Sequence, residues 1–371
     1  MKTLTSDRLT FNNRCAPHQH GPNDTGRIML WVIAACIPAI ITATWFFGYG
    51  MLLNILQCGF WAALLETIVA RLRRQVWNGL LRDNSALVSA ILLGISLPPG
   101  SVWWLVLLGM VFALLVAKHA FGGLGHNPFN PAMCGYVMLL LSFPLQMTAW
   151  HIPMAEIRYD PLFSPLQFES LTTSIALAFP FLAPGPVADF RAVADGLVMA
   201  TPLIEQKLAG NSAVFAALDS GNSLFSRSSG TGWELINLGF LLGGLLLLFR
   251  KIISWHIPVS VIAAVAVMSI LFYSDKSMNV VGSTYLHLFG SATMIGAFFI
   301  ATDPVSAATT PVGKIVYGLL IGGVIYWIRV WGSYLDAVAF AVLVGNFCAP
   351  LIDQLTLPRI YGHYRRTGPW K

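Results

Sequence analysis

Ten apolar segments, separated by polar connections, limit what this chain can fold into. A helix needs about 20 apolar residues to cross the hydrocarbon core of a bilayer, and most of the segments approach that length. They lie at 28–48, 51–70, 86–98, 101–117, 131–148, 235–249, 257–274, 283–301, 315–331 and 334–352. Charged residues are only 10% of the sequence, whereas a soluble domain carries about a quarter. The sequence therefore predicts an all-α polytopic membrane protein with about ten transmembrane helices.

The order of the segments predicts two membrane halves. Segment 86–98 is short and ends in Leu97-Pro98-Pro99-Gly100, so a half-helix and nine full crossings are an open alternative. Segment 171–184 has about 14 residues, and we interpret it as non-spanning. The predicted regions are an N-terminal segment 1–27, a first half 28–148, a large loop 149–234, a second half 235–352 and a tail 353–371. Five spans per half predict an inverted five-plus-five repeat, an arrangement that many transporters use.

Basic residues predict the orientation of the spans. With the N-terminus inside, about 16 of the 22 Lys and Arg residues lie on the cytoplasmic side, which is a strong positive-inside bias. Both termini are therefore expected in the cytoplasm and the loop 149–234 outside it. Because topology accounts for the net charge of +6, nucleic acid is not needed to explain it.

The five cysteines do not indicate a metal site. They are scattered, with no C-x-x-C pair and no Cys/His cluster. A thiolate-bound metal or iron–sulfur centre held by this chain alone is therefore not expected.

Two irregular stretches lie next to predicted spans and contain the candidate site residues Asn127, Asn130, Thr302 and Asp303. They read HAFGGLGHNPFNPAMCGY at 119–136 and FIATDPVSAATTPVGK at 299–314. Irregular backbone is tolerated at membrane depth where it lines a cavity, and ionisable residues there often mark an ion or substrate path. A plain connecting loop, with Asp303 as a helix cap before Pro304, is the alternative.

A third stretch, ADGLVMATPL at 194–203, lies in the large loop. From the residues alone, Asp195-Gly196 indicates a turn, and Thr201 before Pro202 could cap a short helix. This interpretation accounts for every residue of the stretch.

The three stretches together resemble the family that includes the D-type subunit of the Rnf electron-transport complex and the B-type subunit of the sodium-pumping NADH:quinone reductase. The similarity covers essentially the whole chain, including span count and loop position. In that family, a flavin transferase attaches FMN to an external-loop threonine through a phosphoester bond. The resemblance implies that Thr201 is the FMN acceptor and that Asp195 and Ala200 belong to the flavinylation motif. Val198 and Met199 stand where the motif has a hydroxyl and a small residue.

The resemblance also implies a function. The chain is expected to be an inner-membrane subunit of a bacterial redox-driven ion pump, a multi-subunit oxidoreductase rather than a complete enzyme. Electrons would pass between ferredoxin- and NAD-linked partners, coupled to Na⁺ or H⁺ movement. Expected partners include iron–sulfur and flavin subunits. A second, non-covalent flavin, riboflavin, is also implied; Asn127, Asn130, Thr302 and Asp303 are candidates for its region or for coupling.

From the layout alone, two other classes stay open. An inverted repeat equally suits a channel or permease for a small solute. A cofactor-free scaffold for other membrane subunits is the third possibility.

Overall fold

A computed structural model describes most of the two predicted membrane halves and small parts of the loop between them. The described residues are 25–74, 83–148, 150–151, 171–182, 198–199, 232–272, 284–332 and 337–357. The predicted flavin-site residues Asp195, Ala200 and Thr201 lie outside these ranges, as do the two chain termini.

The first half contains five long helical segments. They are α1 (Thr25–Phe47), α2 (Tyr49–Leu72), α3 (Ser85–Ser96), α4 (Trp103–Val111, continued as a π-helix over Phe112–His119) and α5 (Pro131–Ser142). A short helix α6 (Pro144–Thr148) follows α5 and leads into strand β1 (Trp150–His151). The described part of the large loop adds helix α7 (Leu171–Ala178) and strand β2 (Val198–Met199), which pairs antiparallel with β1.

The second half also contains five helical segments, one of them interrupted. They are α8 (Trp233–Phe249), α9 (His256–Leu271), α10 (Thr284–Phe289) with α11 (Thr293–Ile295, continued as a π-helix over Gly296–Ile300), α12 (Pro311–Trp331) and α13 (Val338–Thr356). The helices confirm the predicted class of an all-α polytopic membrane protein.

Each predicted span overlaps a helix, but helix lengths differ from the predicted ones. Among the described helices, only α1, α2, α12 and α13 are both long and apolar enough to cross a membrane unaided. Helix α3 has 12 residues, which at 1.5 Å per residue gives about 18 Å, short of a bilayer core of about 30 Å. Helix α7 has only eight residues, which agrees with the non-spanning interpretation of 171–184.

Prolines explain where several helices begin and end. Helix α3 stops at Ser96 because Pro98 and Pro99 cannot continue a helical hydrogen-bond ladder. Helices α5 and α12 each start with proline at the first position, where its missing N–H costs nothing. The preceding residues Asn130 and Thr310 cap these helices, accepting hydrogen bonds from the N–H groups of Met133 and Gly313.

Small residues let the two halves approach closely. Helices α1 and α8 pack together, and a Cβ on Gly243 would collide with the carbonyl oxygen of Ala35. Within the second half, a Cβ on Gly244 would meet the Phe298 ring. In a bilayer, the hydrophobic effect does not drive helices together, because the lipid tails are as apolar as the side chains. Close van der Waals packing of the backbones stabilises the helix pair instead. The breaks after the third helical segment of each half, at 97–102 and 301–310, are compatible with the inverted repeat, which stays a prediction.

Candidate functional site

Two cavities lie between the halves, at opposite ends of the antiparallel pair α1 and α8. The first, which we call the tryptophan cavity, measures about 100 Å³ and lies where α1 ends and α8 begins, beside Phe47, Trp150 and Trp233. The second, which we call the asparagine cavity, measures about 390 Å³ and lies where α1 begins and α8 ends, beside Thr25 and Leu247. Both are lined by side chains from each half.

The asparagine cavity brings together the four residues that the two irregular stretches predict. Asn127, Asn130, Thr302 and Asp303 all line it, although up to 176 positions separate them in sequence. Glycines with positive φ at 122, 123 and 125 let the first stretch fold back beside the cavity. The role of the four residues stays a prediction, but their proximity is a structural fact.

Asn127 is the least satisfied of these four side chains. It is buried, and its Nδ2 donates to the Phe129 carbonyl at 3.0 Å, which fixes the orientation of the amide. Its Oδ1 has no hydrogen-bond partner among the described residues. An orphaned buried acceptor costs free energy, so it favours a ligand that donates a hydrogen bond there.

Thr302 and Asp303 are engaged within their own connection. Thr302 Oγ1 donates to the Phe298 carbonyl at 2.6 Å, and Asp303 Oδ2 accepts from Ser306 Oγ at 2.7 Å. Burial raises the pKa of the Asp303 carboxyl, whereas the hydrogen bonds from Ser306 and the Val305 N–H oppose that rise. Asp303 therefore shapes a local turn, and helix α12 is capped by Thr310 instead.

Asn130 stands between the two cavities. Its Nδ2 donates to the carbonyl of Ile300 at 3.3 Å, and its Oδ1 accepts from the N–H of Met133. Asn130 lines the asparagine cavity, while Ile300 and Met133 line the tryptophan cavity. This one side chain therefore links the end of the π-helix Gly296–Ile300 to the start of α5 and lies between the two cavities.

Replacing Asn130 with alanine is expected to lower the free energy of unfolding by about 0.5–2 kcal/mol, the usual range for losing a helix N-cap. The change also removes the bond to Ile300 and opens a path for water between the cavities. Denaturant titration in detergent and water accessibility of a cysteine placed at Met133 test the two effects. Asn130→Asp keeps the cap acceptor but lacks the N–H that bonds the Ile300 carbonyl, so it tests the cap separately from that bond. An unchanged Asn130→Ala protein would contradict this role.

A buried ion pair borders the asparagine cavity. Lys118 Nζ lies 2.8 Å from Glu66 Oε1 and 2.8 Å from Ser85 Oγ. His119 Nε2 lies 3.1 Å from the same Glu66 oxygen. The charged side chains are almost fully buried, with Glu66 exposed by 1% and Lys118 by 2%.

Sequence reasoning missed this cluster. Helical spacing suggests Arg71 or Arg73 as the partner of Glu66, but Lys118 takes that place. Arg73 instead donates to the carbonyls of His119 and Gly122 and holds the end of the π-helix. The one signal in the sequence is a Lys-His pair two residues before the glycines that begin at Gly122.

The tryptophan cavity has an aromatic end. The ring centroids of Phe47, Trp150 and Trp233 lie 5.2–5.7 Å apart in every pairing, with the planes inclined at 58–68°. Asn237 also lines this cavity; its Nδ2 donates to the carbonyls of Trp233 and Phe289, while its buried Oδ1 has no partner among the described residues. Strand β1 supplies Trp150, and β2 pairs with it so that Met199 lies opposite Trp150.

These features define a class: a polytopic helical membrane protein in which broken helices border buried polar side chains between two halves. No group of three or more His, Cys, Asp or Glu side chains that could hold a metal occurs among the described residues. The sequence profile of the NQR2, RnfD, RnfE family matches residues 12–362, and this chain belongs to that family.

Similar proteins match nearly the whole chain. A protein of Aeromonas salmonicida is 45% identical over 356 residues, which cover 96% of this chain and all of that protein. One of Yersinia enterocolitica is 47% identical over 351 residues, covering 94% of this chain and 98% of the relative. A third, of Vibrio cholerae, is 44% identical and is covered completely. All three are named as the D-type subunit of an ion-translocating oxidoreductase complex.

Proposed function

We propose that this chain is the D-type membrane subunit of an ion-translocating oxidoreductase complex and carries FMN on Thr201. Family membership and relatives of 44–47% identity over almost their full length support the subunit assignment. The subunit would pass electrons between ferredoxin- and NAD-linked partners and couple this to Na⁺ or H⁺ movement. It would lie in the bacterial inner membrane, with both termini in the cytoplasm and Thr201 in the periplasm.

The observation that carries the proposal is the pairing of β2 with β1. Met199 lies opposite Trp150, beside the aromatic end of the tryptophan cavity. Thr201 follows Met199 by two residues, and two residues of extended chain reach about 7 Å at most. An acceptor hydroxyl at this position would be tethered close to the end of the bundle.

Covalent attachment suits a cofactor at this edge of the protein. FMN, when bound, supplies one- and two-electron chemistry that no side chain offers. A phosphoester from Thr201 Oγ1 would prevent the flavin from being lost to the surrounding water. The residues around it then need only orient the ring, which requires far less binding free energy than holding a free ligand.

The asparagine cavity fits the second, non-covalent flavin that the family implies. Its volume of about 390 Å³ falls within the roughly 300–1,000 Å³ typical of small-molecule sites. The unpartnered Oδ1 of Asn127 would accept a hydrogen bond from a ring N–H or a ribityl hydroxyl of riboflavin. The Lys118 ammonium beside the cavity would favour electron-rich oxygens of the same ligand.

Asp303 is the first residue to test for coupling. We expect Asp303→Asn to slow ion uptake by the reconstituted complex while the amount of bound flavin stays at the wild-type level, because only the charge of this cavity-lining group changes. Ion uptake into vesicles and electron-transfer rate are measured together. The Ser306→Ala variant, which removes a neighbour of Asp303 but no charge, is the control. If Asp303→Asn leaves both rates unchanged, the coupling role is wrong.

A denaturing gel viewed under ultraviolet light separates the proposal from its rivals. The full-length chain, purified from cells that contain the flavin transferase, should give a fluorescent band because a phosphoester survives denaturation. A dark band would instead favour a permease or a cofactor-free scaffold protein.

A further inference from the structure

Helix α2 buries two amide side chains whose hydrogen-bonding groups are not all paired. Asn54 is completely buried, and Gln57 is only 7% exposed. The Oδ1 atom of Asn54 and both polar atoms of Gln57, Oε1 and Nε2, have no hydrogen-bond partner among the described residues. Buried polar atoms in proteins are nearly always paired. Three unpaired atoms on one helix therefore favour a polar ligand at this place.

The two amides reach the same space. Residues three positions apart are neighbours on a helix surface, so Asn54 and Gln57 share one face of α2, with their Cβ atoms about 5–6 Å apart. A helical side chain leans toward the start of its own helix. The longer Gln57 side chain therefore extends toward Asn54.

Asn54 lies against the end of the short helix α3. Its Nδ2 donates to the carbonyl of Pro98 at 2.7 Å and to that of Leu97 at 3.5 Å. Reversing the amide would place its oxygen against these carbonyls, so Oδ1 is the atom left as an acceptor. Helix α3 ends at Ser96 beside buried Leu97 and Pro98. The dipole of the helix gives this end a partial negative charge.

Oxygen atoms that can accept outnumber the donors around this point. Ser101 Oγ spends its single hydrogen on the Pro98 carbonyl, at 2.6 Å, and keeps its lone pairs. The Leu97 carbonyl receives only the long bond from Asn54. With Asn54 Oδ1 and Gln57 Oε1, these make four neutral oxygens against one unpaired donor, Gln57 Nε2. In transporters, carbonyls of unwound backbone and the C-terminal ends of half-helices coordinate cations in this way.

We propose that Asn54 Oδ1 and Gln57 Oε1, together with the oxygens of Leu97 and Ser101, bind a dehydrated Na⁺ ion at the end of α3. Amide, carbonyl and hydroxyl oxygens do not take up a proton near neutral pH, so the site selects a metal cation over H⁺. Divalent cations are usually bound with carboxylates, whereas all four of these ligands are neutral. The binding site rests on this geometry alone; its use in ion movement rests on the proposed function.

Thermal unfolding of the purified full-length chain in detergent tests the site. A ligand that binds only the folded state raises the Tm as its concentration increases. We expect the Tm to rise by several degrees and then level off as Na⁺ replaces choline at constant ionic strength. K⁺ should raise the Tm less, because a larger ion fits the same oxygens poorly.

Gln57→Leu is the decisive variant, since it removes both unpaired atoms of Gln57 at similar side-chain size. In choline, this variant should be at least as stable as the wild type, because an apolar group replaces buried polar atoms that lack partners. In Na⁺, its Tm should no longer rise. Thr42→Val is the matched control: its hydroxyl is bonded within the neighbouring helix α1, and the variant should keep the full Na⁺ response.

Each contrary outcome has its own meaning. A wild-type Tm that does not respond to Na⁺, or that responds equally in Gln57→Leu, would overturn the site, while the fluorescent band would still decide the FMN on Thr201. An equal rise with K⁺ would overturn the assignment to Na⁺. A Gln57→Leu chain far less stable than the wild type in choline would show that the amide is already paired, which also contradicts the site.

The reconstituted complex tests the use of the site separately. If the Na⁺ ion bound here is the one that moves, Gln57→Leu should lose most of the Na⁺ uptake into vesicles while its covalent flavin stays at the wild-type level. Normal uptake by a variant whose isolated chain has lost the Na⁺ response would mean that the bound ion only stabilises this chain.

Discussion

Replacement of Thr201 by alanine is expected to abolish covalent flavin in this chain. Alanine lacks the hydroxyl oxygen that would form the phosphoester, and the segment 192–207 contains no other serine, threonine or tyrosine. The fluorescent band should disappear from a denaturing gel, and electron transfer through the assembled complex should fall to background. The amount of folded chain in the membrane should stay near the wild-type level, because Thr201 belongs to the loop between the two halves.

Thr201→Ser is the matched control, since it keeps a hydroxyl at the acceptor position. We expect it to retain at least part of the flavin, with electron transfer in proportion. The Thr302→Ala variant removes a threonine from the other end of the bundle and should leave the covalent flavin unchanged. A fluorescent Thr201→Ala band would place the attachment at another residue.

Breaking the buried ion pair is expected to have the largest effect on stability. Glu66→Gln leaves the Lys118 ammonium buried without its countercharge, and removal of one partner of a buried pair typically costs about 3–5 kcal/mol. The pair joins α2 to the end of α4, so its loss also loosens one wall of the asparagine cavity. Denaturant titration of the full-length chain in mixed micelles measures the change in the free energy of unfolding.

The double variant Glu66→Gln/Lys118→Gln distinguishes the pair from simple loss of packing. Because it removes both charges, it should recover much of the stability lost in the single variant. Ser89→Ala is the control from the same cavity wall, where a hydroxyl bonded within its own helix is removed; its effect should stay small. A single Glu66→Gln variant as stable as Ser89→Ala would contradict the buried pair.

Hydropathy predicted the helices well because the bilayer demands long apolar segments with all backbone groups paired internally. It predicted their lengths less well. The apolar run 131–148 contains two helices, because Pro144 cannot continue the helix that ends at Ser142. The run 283–301 is likewise interrupted between Phe289 and Thr293, beside Gly290. Apolar content does not reveal such breaks, since the residues on both sides are equally hydrophobic.

The candidate site was predicted in part. The glycine- and proline-rich stretches identified Asn127, Asn130, Thr302 and Asp303, but only packing of the two halves reveals that they share a cavity. In the sequence, Lys118 counts only among the basic residues that predict the orientation, because a lysine at the end of a span usually faces water. Its burial against Glu66 depends on a contact between residues 52 positions apart, which spacing along a single helix cannot indicate.

The tryptophan cavity was not predicted at all. Its aromatic side chains come from the end of α1, the start of α8 and the strand after α6, and each alone is typical of a membrane interface. Their convergence depends on the antiparallel packing of α1 and α8, together with the pairing of β1 and β2.

The mass of one peptide tests the central claim most directly. Trypsin should release residues 192–207 as a single fragment, because Arg191 and Lys207 bound it and no Lys or Arg lies between them. For chain isolated from cells that contain the flavin transferase, the account predicts a fragment heavier than its amino acids by FMN less one water, with the added group on Thr201. A fragment with the mass of its unmodified amino acids alone would contradict the account.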